Sequence, residues 1–423
     1  MERQYKDSGI EWIGKIPVDW KLQPLAIYFA ENRKPNIHLE TVNALQFKYG
    51  EIIQKPNSGK ELTDKDRELL GKYTVVAPND IVVNGLNLNY DLKSLRIAKV
   101  REDGIITSAY IVLRPRIGVN ASYYNYYLKA LDYQKIFHGM GVGIRLTLSY
   151  NELRSMLLSV PSADEQQRIA KYLDAKCEEI DGLIALQEQM IVQLTEYKRS
   201  VITEAITKGL NPDVQLVPSG IDWIGDIPKG WKVCRFKDIA SVKANLVHPE
   251  DYLDYPQIAP DNIEKGSGKL LTYNSVRNAN VISDNHLFRK GQLIYSKIRP
   301  VLNKIIIAPF DGLCSADMYP IETKNDINYQ KYFMLSDFFV SQVAVVVQDR
   351  VKMPKINKEE LSVIYSLSLP LSEQHAIAEY LDTKCGEIDK LIVTKRQKMD
   401  TLKEYKKSVI YEAVTGKIDL RDS

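Results

Sequence analysis

The sequence predicts an α+β chain, with two similar mixed α/β domains at opposite ends of a long antiparallel two-helix coiled coil, related by pseudo-two-fold symmetry. Three observations predict it: a short motif that occurs twice, a long helical pattern that occurs twice, and a block of strand-and-turn sequence enclosed by each such pair. The 423 residues divide into a first domain (1–160), a first long helix (161–210), a linker with the second domain (211–368), and a second long helix with a tail (369–423).

The short motif comes first. Ser8-Gly9-Ile10-Glu11-Trp12-Ile13-Gly14-Lys15-Ile16-Pro17 returns as Ser219-Gly220-Ile221-Asp222-Trp223-Ile224-Gly225-Asp226-Ile227-Pro228, and each copy leads to a second tryptophan, Trp20 or Trp231. The blocks behind these motifs carry strand signals, short β-branched runs bounded by turns. They are Asp80–Gly85 and Gly104–Leu113 in the first block, and Gly291–Ser296 and Lys304–Ala308 in the second. Asp103-Gly104 and Asp311-Gly312 repeat at an offset of 208, so the blocks share a frame, while the loops at 84–90 and 297–303 are unlike. Tyr123, Tyr124, Tyr126 and Tyr127, with Tyr329, Tyr332 and Phe333, fall at helical spacing and read as core.

The long helices follow each block. Glu165-Gln166-Gln167-Arg168-Ile169-Ala170-Lys171-Tyr172-Leu173-Asp174 matches Glu373-Gln374-His375-Ala376-Ile377-Ala378-Glu379-Tyr380-Leu381-Asp382, and the offset of 208 holds as far as Ile202 and Ile410. Leu173, Cys177, Ile180, Ile184, Gln187, Ile191, Leu194, Lys198, Val201 and Ala205 step alternately by four and three, the spacing of a coiled-coil seam. The second copy is polar at the same two places, Lys395 and Lys406. Pro161 and Pro370 precede the helices, Ser162 and Ser372 are their candidate caps, and Gly209 and Gly416 mark their ends. Each helix makes a rod about 65 Å long. The linker Asn211–Pro218 spans about 28 Å at most, too little for a return along the rod, so the rods pair antiparallel.

Composition narrows the function classes. Hydrophobic residues make up 44% and charged residues 26%, as in a soluble globular protein. No long apolar run or secretory leader is found, which makes the cytoplasm the expected address. The four cysteines are scattered and the five histidines form no H-x-x-x-H pair, which leaves no zinc signature. The net charge is only +3, yet residues 21–160 hold 19 Lys and Arg against 13 Asp and Glu, and residues 232–368 hold 18 against 15. Two basic blocks separated by near-neutral rods suit an anionic partner touched at two places. Neither an amino-methylation motif nor a phosphate loop occurs, since Gly266-Ser267-Gly268-Lys269 lacks the earlier glycine. A fused nuclease or methyltransferase is thereby disfavoured.

The duplicated motif, the Gln-x-x-Ile-Ala-x-Tyr-Leu-Asp start of each rod and Leu293-Ile294-Tyr295-Ser296-Lys297-Ile298-Arg299-Pro300 together resemble the specificity subunit of type I restriction-modification systems. The resemblance covers essentially the whole chain. It implies two target recognition domains, each reading one half of a bipartite DNA sequence, with the rods fixing the spacer. It implies no catalysis in this chain. The implied partners are two adenine methyltransferase (modification) subunits using S-adenosylmethionine, and a restriction subunit using ATP and Mg. One departure is His375-Ala376 where the first rod has Gln167-Arg168. The alternatives are a coiled-coil adaptor for proteins only, and the specificity half of a stand-alone methyltransferase.

DNA contact needs exposed Lys or Arg for phosphates, and Arg, Lys, Asn or Gln for base edges. The candidates in the first block are Lys55, Lys60, Asn84, Asn87, Asn89, Lys93, Arg96 and Arg145. Those in the second are Lys297, Arg299, Lys304, Arg350, Lys352 and Lys355.

Overall fold

The computed structural model describes residues 3–48, 50–56, 62–89, 95–143 and 146–421. The chain forms two compact units, Met1–Gln187 with Lys398–Ser423, and Glu188–Gln397. Each unit holds one strand-rich block and a stretch of both long helices, Ala163–Lys208 and Leu371–Val414. The α+β class stands.

In the first unit an antiparallel sheet runs in the order Phe29–Glu31, Ile111–Pro115, Ile81–Val83, Ile97–Lys99. The second unit repeats that order with Ala240–Val242, Met318–Thr323, Leu293–Ser296 and Ile305–Ile307. All three residues of Ile81–Val83 and all four of Leu293–Ser296 are buried, so both faces of these strands are covered. The segment Gly104–Leu113 is two strands, Gly104–Ile106 and Ile111–Pro115. Between them Tyr110 N–H closes a turn onto Thr107 O (3.3 Å), a break that β-branched composition alone does not announce. A second sheet in the second unit pairs Pro256–Ile258 with Gly312–Cys314 in parallel, on the Asp311-Gly312 repeat.

The tyrosine-rich helices Ala121–Tyr133 and Ile327–Leu335 cover these sheets. Asn120 and Asp326 cap them, accepting from the N–H groups of Tyr123 (3.0 Å) and Tyr329 (2.8 Å). Tyr123, Tyr124, Tyr127, Tyr329 and Phe333 are fully buried, core as the spacing predicts.

Within each unit the two rods run antiparallel. In the first, Arg168 Nε donates to Leu420 O (3.0 Å) and Lys406 reaches Asp181 (2.6 Å), so rising numbers on one helix meet falling numbers on the other. In the second, Lys198 pairs with Asp389 (2.8 Å). Lys198 and Lys406, the second polar interruption of each heptad pattern, thus carry ion pairs inside the seam. Cys177 and Cys385 are buried there as small apolar groups, their thiols pushed up first by burial. Ser162 Oγ caps the first rod at Glu165 N–H (3.3 Å), whereas Ser372 lies inside the first turn of the second, which begins at Leu371. Gly209 and Gly416 end the rods with φ of 74° and 75°, backbone that favours glycine.

The duplicated motif ties each block to its rod. Gly14 and Gly225 close the motif's turn onto the carbonyls of Ile10 and Ile221. Trp20 Nε1 then donates to Glu165, and Trp231 Nε1 to Glu373, both at 2.9 Å. The tryptophan of one motif and the glutamate of the other are therefore two halves of one joint, made once per unit.

Candidate nucleic-acid interface

In the second unit, the strand Leu293–Ser296 delivers the chain into a loop that is fixed almost wholly by backbone. Lys297 N–H donates to Asp317 O (2.9 Å), Ile356 N–H to Lys297 O (3.0 Å) and Arg299 N–H to Pro354 O (2.7 Å). Arg299 and Asn303 flank the short turn Pro300–Leu302 with φ of 43° and 48°, the left-handed region. Asn303 holds that geometry, because its Nδ2 donates to Met334 O (2.8 Å) and its carbonyl accepts from Gly266 N–H (3.0 Å). The loop and the segment 350–356 thereby form one surface.

This surface brings Lys297, Arg299, Arg350, Lys352 and Lys355 together, with different duties. Arg299 and Lys352 are exposed, and among the described residues neither has a carboxylate partner. Lys297 lies over the Tyr319 ring, 5.2 Å from its centroid. Arg350 is bound to Glu360 and to Lys355 O, so it shapes the loop; its hydrogen bond to Glu360 raises its own pKa and lowers that of the carboxyl. Lys355 pairs with Asp317 (2.9 Å). Lys304 is turned away, its Nζ donating to Pro260 O (2.7 Å). Beneath the surface His286 is buried, and burial, then Lys297 and Lys358, push its imidazole below the usual histidine range.

The first unit builds the same joint with other residues. Leu148 N–H donates to Gly85 O (2.8 Å), the bond that Ile356 makes to Lys297, and Leu88 N–H donates to Leu146 O (3.1 Å). A Cβ on Gly85 would lie 2.4 Å from Leu148 O, so this approach needs glycine. Leu88 is buried, while Asn87 and Asn89 on either side point outward. Asn84 is half-buried, its Oδ1 accepting from Leu86 N–H (3.2 Å).

Arg96 corrects the sequence reading. It is 1% exposed, and its guanidinium donates to Asn84 O (3.1 Å) and Leu86 O (2.8 Å). It holds the loop from below and does not face solvent. Asp132 fixes it in turn, accepting from its backbone N–H (2.5 Å). Lys55 is exposed on a separate cleft lined with Thr41, Asn43, Thr63 and Tyr73. Lys60, Lys93 and Arg145 lie outside the described residues. The supporting groups Asp132, Asn303 and Asp317 were not legible from sequence, since nothing marks a lone Asp or Asn as a loop anchor before its partners are known.

Among the described residues no helix is long and apolar enough to cross a membrane, and no cluster of three metal-ligating side chains occurs. Residues 228–403 match the family model described as the type I restriction modification DNA specificity domain. The chain is 31% identical over 282 residues to the type I restriction enzyme EcoDI specificity subunit of Escherichia coli, an alignment covering 63% of each chain. It is 22% identical to the putative type I restriction enzyme MjaX specificity subunit of Methanocaldococcus jannaschii, over 99% of this chain and 98% of that one. A solved structure described as bearing on complex assembly and conformational transition of the type I R-M system shares the fold, with a TM-score of 0.70 at 13% identity, over 95% of this chain and 99% of that one.

Proposed function

We propose that this chain, which belongs to the family of type I restriction-modification DNA specificity subunits, reads a bipartite double-stranded DNA target, one half with each unit. One observation carries this reading. The same backbone joint, Leu148 to Gly85 and Ile356 to Lys297, presents Asn87 and Asn89 in one unit but Arg299 and Lys352 in the other. Asparagine suits the adenine edge and arginine the guanine edge, while an exposed lysine meets phosphate. A shared frame with unlike contacts is what recognition of two different half-sequences requires.

In this reading the rods fix the number of base pairs between the halves and dock two adenine methyltransferase subunits. A restriction subunit joins for cleavage. S-adenosylmethionine belongs to the modification partner, and ATP with magnesium to the restriction partner. This chain contributes recognition and no catalysis, and it works in the cytoplasm.

Binding of the full chain, with its methyltransferase partner, to genomic fragments across a salt series tests the reading. Affinity should fall steeply with salt as counterions return to the duplex, and the chain alone should transfer no methyl group. Binding too weak to measure at low salt would leave a protein-only adaptor in its place.

A further inference from the structure

The two units differ at one place where their frames coincide. In the second unit the turn between Ile263 and Leu270 lies on the helix Ile327–Leu335, and a Cβ on Gly268 would meet Leu335 at 3.3 Å and Lys331 at 3.6 Å. The next residue, Lys269, reaches the rod and pairs with Asp389 (2.9 Å), which also binds Lys198 (2.8 Å). Lys331 pairs with Asp382 (3.4 Å), a carboxylate that also accepts from Tyr332 (2.6 Å). The turn fills the space, and each of these three lysines has a carboxylate.

The first unit leaves the equivalent place open. Tyr126 donates to Asp174 (2.7 Å) as Tyr332 does to Asp382, and Asp181 takes Lys406 (2.6 Å) as Asp389 takes Lys198. By that correspondence Asn125 stands for Lys331 and Lys129 for Leu335. In place of the turn there is a cavity of about 460 Å³, lined by Lys99, Arg101, Asn125, Lys129, Cys177 and Lys406 among others. Of its three carboxylates, Asp174 and Asp181 are engaged as described, and Glu51 is exposed. Among the described residues Arg101 and Lys129 have no carboxylate partner. Asn125 is 7% exposed, and its buried Oδ1 has no hydrogen-bond partner among those residues. Burial, then the like charge of Lys406, pushes the Lys129 ammonium below its usual range, with Glu51 opposing the shift.

We propose that this cavity binds a phosphate group, with Lys129 and Arg101 supplying the charge, Lys406 shared with Asp181, and Ser122 and Asn125 supplying the neutral hydrogen bonds. Lys99, which donates to Ser122 Oγ (2.6 Å), orients that hydroxyl. The Asn125 amide offers Nδ2 once a ligand sets its orientation. The phosphate comes from a free phosphorylated molecule or from the backbone of bound DNA, and the chemistry of the site is the same for both. The inference stands apart from the reading of DNA sequence, since its first test needs no DNA.

The test is calorimetric titration of the full chain with pyrophosphate at constant ionic strength. We expect saturable binding of one equivalent, weakened about tenfold or more by Lys129→Met, the loss of one charge-assisted contact. Arg101→Gln, on the exposed rim, should weaken it too, while Lys269→Met in the second unit should change nothing. Repeating the titration with a saturating duplex oligonucleotide distinguishes the sources: unchanged binding means a free ligand, and lost binding means a DNA phosphate. No saturable binding by the unaltered chain, or affinity unchanged from the unaltered chain's in both Lys129→Met and Arg101→Gln, overturns the proposal.

Discussion

The joint between motif and rod occurs twice in sequence but is loaded differently in the two units, which gives a sharp prediction. In the first, Glu165 is 3% exposed and accepts from Trp20 Nε1 (2.9 Å) while pairing with Arg3 at 2.6 Å, an arginine itself 8% exposed. Glu165→Ala takes the nearest carboxylate from the buried Arg3 guanidinium and leaves Asp19 and Asp419, each at 3.7 Å, as its remaining partners. Removing one partner of a buried pair costs about 3–5 kcal/mol when the charge left behind is uncompensated, and with two carboxylates still near Arg3 the cost should lie at the low end, about 3 kcal/mol. In the second unit Glu373 is half-buried and accepts from Trp231 Nε1 (2.9 Å). Position 214, where Arg3 would recur, is a valine. Glu373→Ala should therefore cost only about 1 kcal/mol, the ordinary net value of a hydrogen bond. For units of this size 1 kcal/mol moves the midpoint by about 2–4 °C. Glu165→Ala should thus lower the first unit's transition by about 6–12 °C, and Glu373→Ala the second unit's by a few degrees. Differential scanning calorimetry with hydrogen exchange, to assign each transition, makes the measurement. Equal losses for the two variants would show that the buried arginine is not what separates these joints.

Further expectations follow from particular residues. Arg96→Met, which leaves the carbonyls of Asn84 and Leu86 without their donor, should cost about 2 kcal/mol or more and speed hydrogen exchange at 84–89 and 146–148; unchanged exchange there would contradict its role as the loop's support. Arg299→Met and Lys352→Met should each reduce the salt dependence of DNA binding by about one counterion, whereas Lys304→Met, already turned to Pro260 O, should leave the slope alone; a slope that drops for Lys304 and not for the other two would reverse the assignment. For His286 the folded pKa lies below the unfolded one, so the neutral imidazole's contribution is complete above about pH 6.5 and is lost as pH falls through that value toward the folded pKa. Urea midpoints measured between pH 7.5 and 5 should fall more for the unaltered chain than for His286→Gln, and parallel curves would exclude this histidine.

Much of the fold could be read from sequence because its large elements repeat and their periods are strong. A 208-residue offset across a forty-residue pattern leaves few alternatives to a pair of equivalent helices, and Cys177, Ile180, Cys385 and Ile388 are buried where the heptad places them. The seam's polar breaks were visible as Lys198 and Lys406, but their partners Asp389 and Asp181 were not, since pairing between distant segments has no local signature. The interface was less legible. Arg299 and Lys352 look like Arg350, Lys355 and Arg96 in sequence. Only tertiary contacts separate the two that have no carboxylate partner among the described residues from the three engaged by Glu360, Asp317 and the carbonyls of residues 84 and 86. Charged residues at loop ends serve equally as ligands for an outside anion and as ties within the loop.

Each unit is expected to read its own half of the target. Exchange of residues 232–368 for the corresponding block of one of the specificity subunits it resembles, followed by genome-wide mapping of methylated adenines in cells carrying the chimera and the proposed methyltransferase partner, tests this most directly. One half of the methylated sequence should change and the other should stay as it was. A chimera that alters both halves, or one that methylates the original sequence unchanged, would contradict it.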